Sequence, residues 1–136
     1  DAPPYVLRLC HRFAINISET NSSVTNISVL AKQSLTGGAD TTLTNLSLYI
    51  GNASAQNWVY LQGTGSPVSN AVYNQSGTIS SGVPDFVYSS GGTNLVYILL
   101  FATASSYECI QSPFQLCYVG VDHYNYYVTI NITSWH

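Results

Sequence analysis

Three His, three Cys and six carboxylates are the side chains of this 136-residue chain most able to do chemistry. His11, His123 and His136 fall in separate segments, and the acids are spread singly along the chain. A nucleophilic triad needs Ser, His and an acid to converge in space. The adjacent pair Asp122-His123 does not supply that convergence, because neighbours on a strand point to opposite faces, and a hairpin turn accounts for both residues. Gly63-Thr64-Gly65-Ser66 departs from the Gly-x-Ser-x-Gly elbow. Neither a phosphate loop, a dinucleotide fingerprint nor a carboxylate pair stands out. Zinc would need a Cys-x2-Cys pair or a spaced pair of His, and the chain has neither. No catalytic residue, metal ligand or cofactor is expected, and the chain does not read as an enzyme.

Cys10, Cys109 and Cys117 are odd in number, so at least one cannot pair within the chain. Cys109 and Cys117 are eight apart around Pro113 and would close a short loop. Cys10 with either of them would instead staple the two ends of the chain, where loop closure predicts more stabilisation. Both schemes are open on sequence alone. The expectation leans to Cys109–Cys117, which leaves Cys10 for another chain, another segment or a buried thiol.

Composition sets the chemistry of the surface. Charged residues make up 7% of the chain, against about 25% in ordinary soluble domains, and their place is taken by Ser, Thr, Asn, Gln and Gly. A hydrophobic share of 46% excludes a disordered chain. The net charge of −3, with three scattered cations, offers no footprint for nucleic acid or an anionic bilayer. The longest apolar run, Leu95 to Ala102, is far too short to insert as a membrane-spanning helix. With neither an initiator Met nor a signal peptide, the chain reads as a mature segment or an excised domain. Seven Asn-x-Ser/Thr sequons, at Asn16, Asn21, Asn26, Asn45, Asn52, Asn74 and Asn131, supply the missing solvation if they carry glycans. They point to a secreted, extracellular protein.

Eleven Tyr are the other anomaly. Tyr118, Tyr124, Tyr126 and Tyr127 cluster late in the chain, and Tyr124 and Tyr126 share one face of a strand by alternation. Tyr joins an apolar body to a polar tip and suits half-wet recognition surfaces. The plainer reading is that strands favour Tyr wherever they are half-buried.

The elements that must position these residues are strands. Segments are short, rich in Val, Ile, Tyr and Thr, and punctuated by Gly, Asn, Ser and Pro. Strands are expected over Tyr5 to Leu9, Phe13 to Ser18, Val24 to Ala31, Leu43 to Ile50 (broken at Gly51) and Asn57 to Gln62. Shorter ones follow at Ala71 to Tyr73, Thr78 to Ser80 and Phe86 to Tyr88. Turns are expected at Gly37-Gly38, Gly63 to Pro67 and Gly91-Gly92. Thr93 to Thr103 is the most apolar stretch and the expected central strand. Leu116 to Val121 and Tyr124 to Ile132 read as a hairpin around Asp122-His123. Seven or eight strands without βα alternation predict an all-β, immunoglobulin-like antiparallel sandwich, one domain over 1–136.

Three features together resemble a known family. Tyr5-Val-Leu-Arg-Leu-Cys10 runs into Phe13-Ala-Ile-Asn-Ile, placing a Cys on the first strand. Asn94-Leu-Val-Tyr97-Ile-Leu-Leu sets a Tyr inside a hydrophobic strand, and Tyr126-Tyr-Val-Thr-Ile forms the final one. This is similar to the ZP-N half of the zona pellucida module. Ser28-Val-Leu-Ala-Lys-Gln-Ser-Leu-Thr-Gly-Gly and Ser80-Ser-Gly-Val-Pro-Asp-Phe-Val-Tyr extend the likeness to the tandem ZP-N repeats of abalone egg coats, across essentially the whole chain. The resemblance implies that Cys10 is the first Cys of the family pattern and Tyr97 the Tyr of its sixth strand. It implies a repeat excised from a tandem array in the vitelline envelope, self-associating in a filament and binding the cationic sperm protein lysin without cleaving it. Such a contact is expected on the C-terminal hairpin, read as free of glycans, through Tyr118, Asp122, Tyr124 and Tyr126. The family pairs four Cys, first with fourth and second with third. Nothing here matches the second, third or fourth, so that scheme does not carry over.

Overall fold

The computed structural model describes residues 5–38, 40–106, 109–110, 116–117 and 120–135, with 109–110 and 116–117 described through their backbone. In chain order the strands are β1 (Tyr5–Ile17), β2 (Val24–Gly37), β3 (Thr41–Asn52), β4 (Asn57–Gly65), β5 (Val72–Ile79), β6 (Tyr88–Ser90), β7 (Thr93–Ser106), β8 (Cys109–Ile110), β9 (Leu116–Cys117) and β10 (Val121–Ser134). One sheet runs β1-β7-β3-β4, with β6 against the start of β7, and the facing sheet runs β10-β2-β5. All the pairings are antiparallel. The fold is an all-β sandwich, as the strand spacing predicts.

Its core follows from the period-2 pattern of the central strands. β7 turns Val96, Ile98, Leu100, Ala102 and Ala104 inward, and β2 answers with Ile27, Val29, Ala31 and Leu35, all essentially without solvent contact. Each fully buried Ile or Leu contributes roughly 1.5–3 kcal/mol. The apolar core falls into two clusters. Ile27, Val29, Leu48, Ile50, Ile98 and Leu100 belong to the larger one, and Leu35, Leu43, Leu46, Ala102 and Ala104 make the smaller. Gln33 lies between Ala31 and Leu35 on the inward face of β2, at the join of the two.

Tertiary packing redraws several local expectations. Tyr5 to Leu9 and Phe13 to Ser18 are one unbroken strand, β1, registered from Tyr5↔Ser106 to Ile17↔Asn94. β3 runs through Gly51 instead of breaking there, and β4 continues to Gly65, with Ser66 (φ 48) taking the turn. Ala71 to Tyr73 and Thr78 to Ser80 merge into β5. The stretch before Tyr88 is a 3-10 turn, Val83–Phe86, because Pro84 favours a helical start and Val83 and Phe86 drop into the core. No hairpin surrounds Asp122-His123. β10 continues through both, pairing Asp122 with Thr36 and His123 with Leu35, because His123 belongs to the inward series Val121, His123, Asn125, Val128, Ile130 and Ile132. Leu116–Cys117 pairs with Cys109–Ile110 instead. Gly91-Gly92 behaves as read: both have positive φ (59 and 84), the signature of a two-residue type I′ turn between Ser90 and Thr93.

β1 and β10 are edges of opposite sheets, and both alternate half-buried and exposed positions along their length. Arg8 and Arg12 stand exposed on the outer side of β1, where cations discourage a second chain from pairing with the edge.

Candidate functional site

The outer face of the three-stranded sheet gathers most of the residues singled out for partner contact. Asp122 and Tyr124 project outward from β10 at alternate positions, with Tyr124 opposite Ser34. A bulge between Asn125 and Tyr127 then adds a residue to the strand. Bulges re-aim side chains, and this one sets Tyr126 and Tyr127 on the same outer side. The Tyr126 hydroxyl lies 3.3 Å from Ser34 Oγ, and its ring sits 5.7 Å from Lys32 Nζ in a cation–π contact. The Tyr127 hydroxyl donates to Asn74 Oδ1 at 3.4 Å. Tyr124, Tyr126 and Tyr127 remain 50%, 52% and 40% exposed. Strict alternation puts Tyr127 inside, and the bulge is what brings it to this face. Tyr118 lies outside the described residues.

This face is not free of sequons. Asn74 lies across β2 from Tyr127, both in register with Lys32, and Asn131 is exposed further along β10. Across the fold, Asn16, Asn26, Asn74 and Asn131 are exposed, and Asn21, Asn45 and Asn52 are half-buried. Every sequon Asn therefore reaches the surface. Cys10 is free and exposed on β1. Cys109 and Cys117 stand directly opposite each other in the β8–β9 register, and their side chains lie outside the described residues.

Behind the Tyr face runs a polar chain that the sequence did not disclose. His123 Nε2 is 2.7 Å from Gln33 Oε1, which can only accept, so this nitrogen carries the proton. Gln33 Nε2 donates to Gln75 Oε1 at 2.6 Å and to the Ser47 carbonyl at 3.2 Å, and Gln75 Nε2 donates to the Leu46 carbonyl at 2.7 Å. The His11 ring packs edge-on against His123 at 4.5 Å between centroids. Burial, and secondarily the neighbouring His11, push the His123 imidazole down to about 4 from its ordinary 6.5. His123 Nδ1 and Asn125 Oδ1 are buried without a hydrogen-bond partner. Two imidazoles meet here, yet no group of three or more His, Cys, Asp or Glu gathers among the described residues. Opposite sheets bring His11 and His123 together, and sequence distance conceals that.

The outer face of the five-stranded sheet is aromatic. Tyr49 packs edge-on against Tyr60 at 5.6 Å and Phe101 at 6.2 Å, and Tyr88 lies 6.4 Å from Tyr97. At one end, Trp58 and Tyr97 flank an open pocket of about 210 Å³ whose rim carries Asn52, Gln56 and Asn57. Gly51 forms its floor: a Cβ there would meet Tyr97 Cβ at 2.9 Å and Trp58 Cζ3 at 3.3 Å. Aromatic walls with uncharged amides form a setting for neutral polar ligands.

Compared with protein-family models and with curated proteins, the chain finds no match in either.

Proposed function

We propose that the chain is a non-enzymatic, extracellular glycoprotein module of an egg coat: a ZP-N-like repeat of the kind found in the vitelline envelope receptor for lysin, recognising that sperm protein species-selectively during fertilisation. The carrying observation is the exposed triplet Tyr124, Tyr126 and Tyr127, held beside Lys32 on the outer face of the three-stranded sheet. Rigid aromatic side chains with polar tips supply contact area at low entropic cost and dominate protein interfaces. Asp122 at the rim, with a net charge of −3, would steer a cationic partner in, leaving affinity to the aromatic contacts.

The same face would serve cohesion between repeats. A partner that covers it more favourably shifts the array toward dissolved modules by mass action, with no bond cleaved. Mixing the glycosylated domain with lysin and following size by light scattering tests the reading. A stoichiometric complex with both chains intact supports it; no complex, or cleavage of the domain, rejects it.

A second reading, a secreted carbohydrate-binding or adhesin sandwich, draws on the Trp58–Tyr97 pocket and its uncharged amide rim. Saturable saccharide binding without any need for a protein partner would favour it.

A further inference from the structure

We propose that the Trp58–Tyr97 pocket is the seat of the chain's own carbohydrate: the first N-acetylglucosamine of a glycan on Asn52 stacks on Trp58 over the Gly51 floor. The inference rests on the secretory reading alone and is independent of lysin.

Three observations converge on one place. First, Asn52-Ala53-Ser54 is a sequon, and Asn52 itself lines the pocket. Its Oδ1 accepts the Ala55 N–H at 2.9 Å, which fixes the amide against the β3–β4 loop. Nδ2, the other atom of the amide, is the one to which a glycan is joined. Second, Trp58 keeps 39% of its surface exposed although it is the direct register partner of Gly51. A large apolar ring left open at a concave site marks a surface that something covers. Third, the floor is a glycine whose Cβ would fill the space and strike both flanking rings' side chains.

The lining selects a neutral ligand. None of its residues is charged, and Gln56 and Asn57 add amides able to pair with sugar hydroxyls and the acetamido group. The loop is also held still: Ala53 and Ser54 donate their N–H groups to the Asp85 carbonyl at 2.8 and 3.2 Å, and Ser54 Oγ donates to Asp85 Oδ1 at 3.1 Å. A sugar on Asn52 would thus be tethered at a fixed distance from Trp58. Attachment follows the usual transfer: Asn52 Nδ2 bonds the sugar's anomeric carbon and loses a proton, and the lipid pyrophosphate of the oligosaccharide donor leaves. Tethering raises the effective concentration of the sugar at the ring far above that of any free saccharide.

The test uses the secreted domain with each glycan trimmed enzymatically to one N-acetylglucosamine. Asn52→Asp keeps the acceptor for Ala55 and removes the sugar. Occupancy is read by mass spectrometry, and Tm is compared across wild type, Asn52→Asp, Trp58→Ala and the double variant. The proposal expects Asn52 to be occupied, and Asn52→Asp to lower Tm by about 3 °C in the wild-type background but by almost nothing beside Trp58→Ala. Should Trp58→Ala fail to fold, tryptophan fluorescence of wild type against Asn52→Asp keeps the question open to refutation, with a shift expected on loss of the sugar. An unoccupied Asn52, equal Tm losses in both backgrounds, or unchanged fluorescence overturns the proposal. Saturable quenching of Asn52→Asp by millimolar free N-acetylglucosamine, with no cost of that variant to Tm, also overturns it and assigns the pocket to a sugar from elsewhere. Absence of glycan from all seven sequons would reject the secretory reading itself.

Discussion

His123 donates Nε2–H to Gln33 Oε1 at 2.7 Å, so an imidazole next to an exposed carboxylate is tied into the centre of the sandwich. His11 presses on the same ring from the opposite sheet. The pair bridges β1 and β10, whose edges are not hydrogen-bonded to each other.

Protonation should therefore loosen the fold. Folded His123 takes a proton only near pH 4, whereas in the unfolded chain it does so near 6.5. Between these values the unfolded state binds more protons, so stability falls as pH drops through the window and is fully present above 6.5. The loss should be roughly 1–2 kcal/mol once partial exposure of the ring is allowed for. Denaturant midpoints at pH 7.5, 5.5 and 4.0 check this, with His123→Gln, which keeps an N–H donor toward Gln33, giving a flatter profile. An unchanged slope in that variant would refute the assignment.

Gln75→Leu should cost more than its small change in volume suggests. The substitution strands Gln33 Nε2 with only the longer contact to Ser47 and leaves the Leu46 carbonyl without its donor. Unpaired buried polar groups cost about 1–3 kcal/mol each, so a loss of at least 2 kcal/mol is expected in urea unfolding. A neutral result would show that the relay contributes register but little net stability.

Gly51→Ala should destabilise the fold by about 1–3 kcal/mol, because Tyr97 Cβ at 2.9 Å is fixed to the backbone and cannot swing away. Gly65→Ala is the control, because a Cβ there would meet nothing within 4 Å. Thermal unfolding should rank Gly51→Ala as clearly the costlier of the two.

Cysteine mapping has a definite expected outcome. Directly opposed residues of an antiparallel pair have Cα atoms about 4.5–5.5 Å apart, within the span of a disulfide, and Cys109 and Cys117 are so opposed. Alkylation of the unreduced native domain should label Cys10, which is free and exposed. A peptide map should link Cys109 to Cys117. A link from Cys10 to either would reverse the assignment.

What could be read from sequence was what period and turn chemistry encode. Leu95 to Ala102 lies in β7, paired on both sides by β1 and β3, and Gly91-Gly92 makes the tight turn before it. Asp122-His123 resembles a turn in sequence because the buried partner that makes it a strand, Gln33, is supplied by β2. The shared face of Tyr126 and Tyr127 was hidden because counting by twos assumes no bulge. The Trp58–Tyr97 pocket depends on β3 lying between β4 and β7, and a register is not visible in one strand at a time.

The most direct test of the central claim is calorimetric titration of lysin into the secreted, glycosylated domain and into its Tyr124→Ala/Tyr126→Ala variant. Both side chains are about half exposed, so the variant should keep its Tm. The account predicts saturable binding to the wild type and at least about tenfold weaker binding to the variant. Equal affinity for the two proteins, or no heat with either, would contradict it.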